Sequence, residues 1–160
     1  MTVTLVARTH AAAETRRVGE ALGAAAQPGD TFLLEGPFGV GKTVLVQGIA
    51  AGLGVAGHVS SPSFVLMVQH QGRLPLYHVD LYRLENRLDD EMLEALEDAE
   101  DAGGVCAIEW PEALPSSLRN GATHIRIAAA DGADDDTREL TVTSPHPRIV
   151  AAIRAALESI

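Results

Sequence analysis

Gly36-Pro37-Phe38-Gly39-Val40-Gly41-Lys42-Thr43 sets a lysine and a hydroxyl directly behind a loop of glycines. An apolar run, Thr31-Phe32-Leu33-Leu34, leads into it, and a helical pattern starts near Lys42. This is the G-x-x-x-x-G-K-[ST] spacing in the strand–loop–helix setting that cradles nucleotide phosphates. Glycines let backbone wrap around phosphate oxygens with no Cβ in the way. Loop amides and the following helix N-terminus present positive dipole to the anion. Lys42 adds a point charge for the β- and γ-phosphates, and Thr43 offers Mg²⁺ a hydroxyl oxygen. The pattern implies a nucleoside triphosphate site built from Gly36 through Thr43, with Mg²⁺ beside the phosphates.

Such a site needs a further carboxylate where an apolar strand ends near the phosphates. Two positions qualify. Asp80 ends Leu74-Pro75-Leu76-Tyr77-His78-Val79, and Glu109 ends Val105-Cys106-Ala107-Ile108. One would hold Mg²⁺ while the other orients or activates the attacking water. Taken singly, each is as readily a solvent-facing strand end. His78 reads either as a core histidine or as a site residue. Trp110 reads either as packing or as a lid beside the nucleotide.

The elements that must position these groups alternate between strand and helix. Thr2 to Val6 alternates as a short edge strand. Ala11 onward reads as a helix with Ala11, Thr15, Val18, Leu22 and Ala25 on one face, capped by Thr9 or His10. Thr31 to Glu35 is the first core strand, and Lys42 to Ala51 the helix behind the phosphate loop. Ser60-Ser61-Pro62-Ser63 is a loop of hydroxyls. Phe64 to Gln69 and Leu74 to Val79 form a hairpin around Gln71-Gly72-Arg73, which makes the sheet mixed. Leu88 to Asp98 is an acidic helix, most simply with a solvated face. Val105 to Ile108 reads as a strand buried on both sides. Leu114-Pro115 and Asn120-Gly121 mark loop, Thr123 to Ala129 and Glu139 to Thr143 late strands, and Arg148 to Ser159 a last helix. The fold class is α/β: one P-loop NTPase domain over residues 1–160, a mixed central sheet flanked by helices, with 144–160 a C-terminal helical extension.

Composition narrows the function classes. A hydrophobic content of 46 % in 160 residues supports one buried core. The net charge of −10, from 12 basic and 22 acidic residues, disfavours a broad nucleic-acid surface. The single Cys106 forbids an internal disulfide, as in a reducing cytoplasm. Met1-Thr2-Val3-Thr4 has no basic segment or apolar signal core, and no apolar run suits a membrane span. A cytoplasmic protein with no membrane contact is expected.

Three stretches follow the phosphate loop in order: Ser61-Pro62-Ser63-Phe64, His78-Val79-Asp80-Leu81-Tyr82-Arg83-Leu84 and Glu109-Trp110-Pro111. With them the chain resembles, over about residues 9 to 112, the TsaE (YjeE) family, the ATPase of bacterial tRNA threonylcarbamoyladenosine synthesis. The resemblance implies a small P-loop fold and an essential cytoplasmic ATPase, with ATP or ADP and Mg²⁺ as the ligands of the site. It implies work with the TsaD–TsaB pair, which transfers threonylcarbamoyl to an adenosine beside the anticodon. It places Thr43 and Glu109 at Mg²⁺, Asp80 at the catalytic water or metal shell, Trp110 near the nucleotide and Thr9 near the base. The chain departs from the family where Ser63 replaces the usual Thr and Pro37-Phe38-Gly39-Val40 replaces Asp-Leu-Gly-Ala. Ser63 keeps the hydroxyl of a switch loop that includes Ser61, whereas Pro37 lacks an amide for phosphate.

Three activities fit these residues: an ATPase serving an assembly, a small-molecule kinase, or a nucleotide-dependent binding switch. A kinase usually carries an arginine-rich lid, and only Arg83 lies in a candidate motif. The presence of both Asp80 and Glu109 speaks against a non-catalytic switch. The acidic surface makes tRNA a ligand only indirectly, through the complex.

Overall fold

A computed structural model describes residues 2–57, 59, 67–82, 88–130, 132 and 135–160. The strands are β1 (Val3–Thr9), β2 (Thr31–Glu35), β3 (Met67–His70), β4 (Leu76–Asp80), β5 (Val105–Glu109), β6 (Thr123–Ala129) and β7 (Arg138–Ser144). The helices are α1 (Ala12–Ala25), α2 (Lys42–Gly52), α3 (Asp90–Asp101), α4 (Ser116–Arg119) and α5 (Pro147–Glu158), with a 3₁₀ turn at Pro111–Ala113. Among the described residues the strands form one sheet in the order β1-β7-β6-β2-β5-β4-β3. The central four, β6, β2, β5 and β4, are parallel. β7, β1 and β3 pair antiparallel to their neighbours, so the sheet is mixed as expected.

Alternation along the central strands divides the core. Phe32 and Leu34, Leu76, and Val105 and Ala107 face one layer, together with Leu22 of α1, Leu45 and Ile49 of α2, and Ile149 and Ile153 of α5. Leu33, Val79, Cys106 and Ile108 face the other, with Leu96 and Ala99 of α3 and Leu118 of α4. By the same parity His78, Asp80 and Glu109 point to the α1–α2 layer, because Tyr77 and Val79 point away from it.

α1 and α2 pack unusually closely. A Cβ built on Gly19 would stand 2.3 Å from Leu45 O, one on Gly23 2.1 Å from Ile49 O, and one on Gly48 2.2 Å from Arg16 O. Four glycines, Gly19, Gly23, Gly48 and Gly52, therefore let the two backbones touch. The apolar periodicity of α1 pointed to Ala11, Thr15, Val18, Leu22 and Ala25; the middle three are buried and the outer two half-buried, but it passed over Gly19 and Gly23. α5 also belongs to this layer: Arg148 at its start grips Asp30 at 2.8 and 2.7 Å.

Several local expectations change. β1 runs on to Thr9, so Thr9 does not cap α1; its hydroxyl meets that of Thr15 at 2.7 Å. The N-cap is Ala11 with no side-chain cap, and Glu14 instead accepts the His10 amide at 2.9 Å. Asp89 caps α3 by accepting the Met92 amide at 2.8 Å. Leu114-Pro115 and Asn120-Gly121 are loop and turn as expected, and between them the short α4, which the sequence did not announce, buries Leu118 beside Leu114 in the second layer. Arg119 fastens this turn by donating to Leu114 O at 3.0 Å and Pro111 O at 2.6 Å. Of the expected strand from Phe64, the part before Met67 lies outside the described residues, as do Ser61 and Ser63 of the hydroxyl loop.

Candidate functional site

The site lies along the carboxyl edge of the parallel strands, where open α/β sheets bind their ligands. Register fixes its order. Leu34 of β2 is beside Glu109 of β5, and Glu109 is beside Asp80 of β4. The strand leading to the phosphate loop and both carboxylate-bearing strands are therefore consecutive neighbours.

The loop from Gly36 to Gly41 takes conformations that glycine permits. Gly39 and Gly41 have φ of 74° and 121°, and nothing stands within 4 Å of a Cβ built on either. Side chains there would fill the cradle and strain the backbone. Gly36 is needed for another reason: a Cβ on it would lie 2.6 Å from Ile127 O of β6. Pro37, Phe38 and Gly39 are exposed, and Val40 is buried. Val40 O accepts from Arg138 Nε at 2.7 Å, so β7 holds the loop from outside the motif. Arg138 is opposite Thr9 in the β1–β7 ladder. Thr9 itself is fully buried, and its hydroxyl is taken up with Thr15.

Lys42 opens α2 and is buried at 5 % exposure. Its ammonium donates to Gly36 O at 2.5 Å and stands 3.5 Å from the centroid of the Trp110 ring. Burial pushes the Lys42 ammonium below its ordinary value, while the charges of Glu109, Asp80 and Glu112 pull it back up. Both sequence-predicted carboxylates thus lie within electrostatic reach of the loop lysine. Thr43, half-buried, follows on the first turn of α2.

Glu109 is buried and meets His78 Nε2 at 2.6 Å. Asp80 is half-buried, and its Oδ1 accepts the Tyr82 amide at 3.0 Å, a local turn that fixes the carboxylate. Trp110, directly after Glu109, has φ 58° and ψ 59°. A left-handed conformation costs a non-glycine residue roughly 1–2 kcal/mol, and here it brings the indole over Lys42. Phe38 and Tyr82 complete an aromatic cluster, with ring centroids 4.5 Å apart from each other and 5.1 and 5.0 Å from Trp110. Phe38 and Tyr82 are 66 % and 49 % exposed, so this cluster forms an apolar wall at the mouth of the loop.

Mg²⁺ and a nucleotide fit these groups. The open glycine cradle and the buried ammonium suit phosphate, and a hydroxyl with two carboxylates is a hard-oxygen donor set. Among the described residues no group of three or more His, Cys, Asp or Glu forms a metal cage.

The model of the threonylcarbamoyl adenosine biosynthesis protein TsaE matches residues 9–140. The chain belongs to the TsaE family. It is 38 % identical over 132 residues to the TsaE protein of Bacillus subtilis, a match covering 82 % of this chain and 80 % of that one. To the Streptomyces coelicolor TsaE protein it is 39 % identical, covering 80 % and 88 %. The crystal structure of YdiB from Bacillus subtilis superposes with a TM-score of 0.77 and 32 % identity, over 99 % of this chain and 97 % of that one. The TsaE match extends to residue 140 and so includes Arg138, beyond the stretch that carried the resemblance in sequence.

Sequence reasoning missed Arg138, the His78–Glu109 contact and the Phe38–Tyr82–Trp110 cluster. Each joins residues far apart in the chain. The one available signal was the strand-interior position of His78, two residues before Asp80.

Proposed function

We propose that this TsaE-family chain takes part in tRNA threonylcarbamoyladenosine biosynthesis as a Mg²⁺-dependent ATPase working with TsaD and TsaB in the cytoplasm. The observation that carries the reading is the row at the sheet edge: a glycine cradle with its buried lysine, then Glu109, then Asp80 on adjacent strands. TsaE-named relatives, matched over most of this chain, support the pathway.

In this reading the loop amides and Lys42 hold the β- and γ-phosphates of ATP. Pro37 has no N–H to offer a phosphate oxygen, which leaves the other loop amides and Lys42 as the donors. Thr43 and Glu109 would hold Mg²⁺, which when bound neutralises phosphate charge. Asp80, fixed by the Tyr82 amide, orients the attacking water or holds the outer metal shell. Trp110 lies beside the nucleotide at its phosphate end. Thr9 supports the base side only through the β1–β7 ladder, since its hydroxyl is buried. Ser61 and Ser63 serve as the switch that reports the γ-phosphate to TsaD–TsaB. tRNA is met through that complex, consistent with a net charge of −10.

The test separates the two carboxylates. Asp80→Ala should retain ATP affinity within a few-fold and lose hydrolysis by about 100-fold or more. Glu109→Ala should lose the Mg²⁺-dependent part of ATP affinity. Calorimetry with and without Mg²⁺, alongside phosphate release, reads both. Two variants that hydrolyse ATP normally would refute the reading.

A further inference from the structure

His78 sits in the middle of β4 at 0 % exposure, an expensive place for an imidazole. Its flanking side chains on that face are Leu76 and Asp80, and its neighbour on β5 is Ala107. A leucine would fill such a position at less desolvation cost. Nε2 meets Glu109 Oε2 at 2.6 Å, and Nδ1 has no hydrogen-bond partner among the described residues. The ring is therefore held by one polar contact, made to the carboxylate beside the phosphate loop.

We infer that His78 is the positioning residue for Glu109: as the Nε2–H tautomer it donates to one carboxylate oxygen and leaves the other for the site. The tautomer follows from the contacts. An ionised carboxylate accepts only, so Nε2 must carry a proton. An imidazole lone pair left bare at Nδ1 is easier to bury than an N–H without an acceptor. Glu109 is itself buried, and its carboxylate has several rotamers about its long stem. With one oxygen pinned from the strand next door, the orientation of the other is set before any ligand arrives. This corresponds to the outer partners that orient metal-side carboxylates, whose loss typically costs about 10–100-fold in metal affinity or activity.

The inference rests on reading Glu109 as the Mg²⁺-side carboxylate, and the experiment distinguishes the two. Histidine side-chain ¹⁵N NMR on the unmodified protein, without nucleotide or metal, should show His78 protonated at Nε2 and bare at Nδ1. The opposite tautomer overturns the inference. His78→Leu should lower kcat, or Mg²⁺ affinity, by about 10–100-fold, with ATP affinity in EDTA changed less than about threefold. His78→Gln, which keeps a donor at a similar reach, should recover most of that loss. In thermal unfolding, His78→Leu should lower the midpoint, and His78→Leu with Glu109→Leu should recover part of it, because the orphaned buried carboxylate is gone. If His78→Leu does not fold, the tautomer and His78→Gln still decide. A loss in Glu109→Gln with none in His78→Leu overturns the inference alone. No loss in Glu109→Gln overturns the reading of Glu109, and the inference with it.

Discussion

Lys42 concentrates the electrostatics of the site. Its ammonium is buried, shares the Gly36 carbonyl and lies against the Trp110 ring, with Glu109 and Asp80 in reach. Its charge is thus weakly solvated, which makes its attraction for phosphate strong. Lys42→Ala should lower ATP affinity at least about 100-fold in calorimetry, about 3 kcal/mol, with the far-ultraviolet circular dichroism unchanged. Unaltered binding would remove Lys42 from the site. Cys106 gives a second prediction, of stability. Burial, with a lesser contribution from Glu100, pushes its thiol from 9.0 up to about 12. The folded chain keeps the proton that the unfolded chain gives up above pH 9, so this group's stabilisation is intact below pH 9 and lost as pH rises toward 12. Native protein at pH 8 should react with a thiol reagent only as fast as it unfolds, and quickly in denaturant. Fast reaction of the native chain would contradict the burial.

Among the elements, the α1–α2 pair decides where the phosphate loop points, since α2 begins at Lys42. Backbone contact through Gly19, Gly23, Gly48 and Gly52 leaves no room for a methyl group. Gly48→Ala should cost about 1–3 kcal/mol or more in urea unfolding, as overpacking does, and should weaken ATP binding because the start of α2 shifts. A variant of full stability would show that the helices can separate freely. This contact was not legible in sequence, where a glycine in a helix reads as a weak helix former, not as a packing surface. By contrast, β2, the phosphate loop, α2 and β5 were legible, because hydrophobic runs end in chemically distinctive residues. The cap of α1 was misread because β1 continues to Thr9 and takes its hydroxyl into the core. Arg138 was invisible for a related reason: its bond to Val40 O joins β7 to a loop 98 residues away.

For the whole molecule, topology turns scattered residues into a site. The mixed sheet places β2, β5 and β4 side by side, so that a loop, a glutamate and an aspartate from separate thirds of the chain line one edge. The sequence carried the residue types, but their adjacency came from strand order, which no local pattern states. The same chain carries a net charge of −10, with an acidic exposed face on α3. Under the proposed function, hydrolysis with no acceptor does work only if the nucleotide state changes what the chain binds, and by linkage a partner that prefers one state alters nucleotide affinity. The central claim, an ATPase acting with TsaD–TsaB, is tested most directly by following the γ-phosphate of labelled ATP in Mg²⁺, with the chain alone and with TsaD–TsaB added. The expected result is free phosphate, released slowly by the chain alone and at a changed rate with TsaD–TsaB, which associate with it in a nucleotide-dependent way. Brisk turnover indifferent to TsaD–TsaB, with the label transferred to a small acceptor, would contradict it.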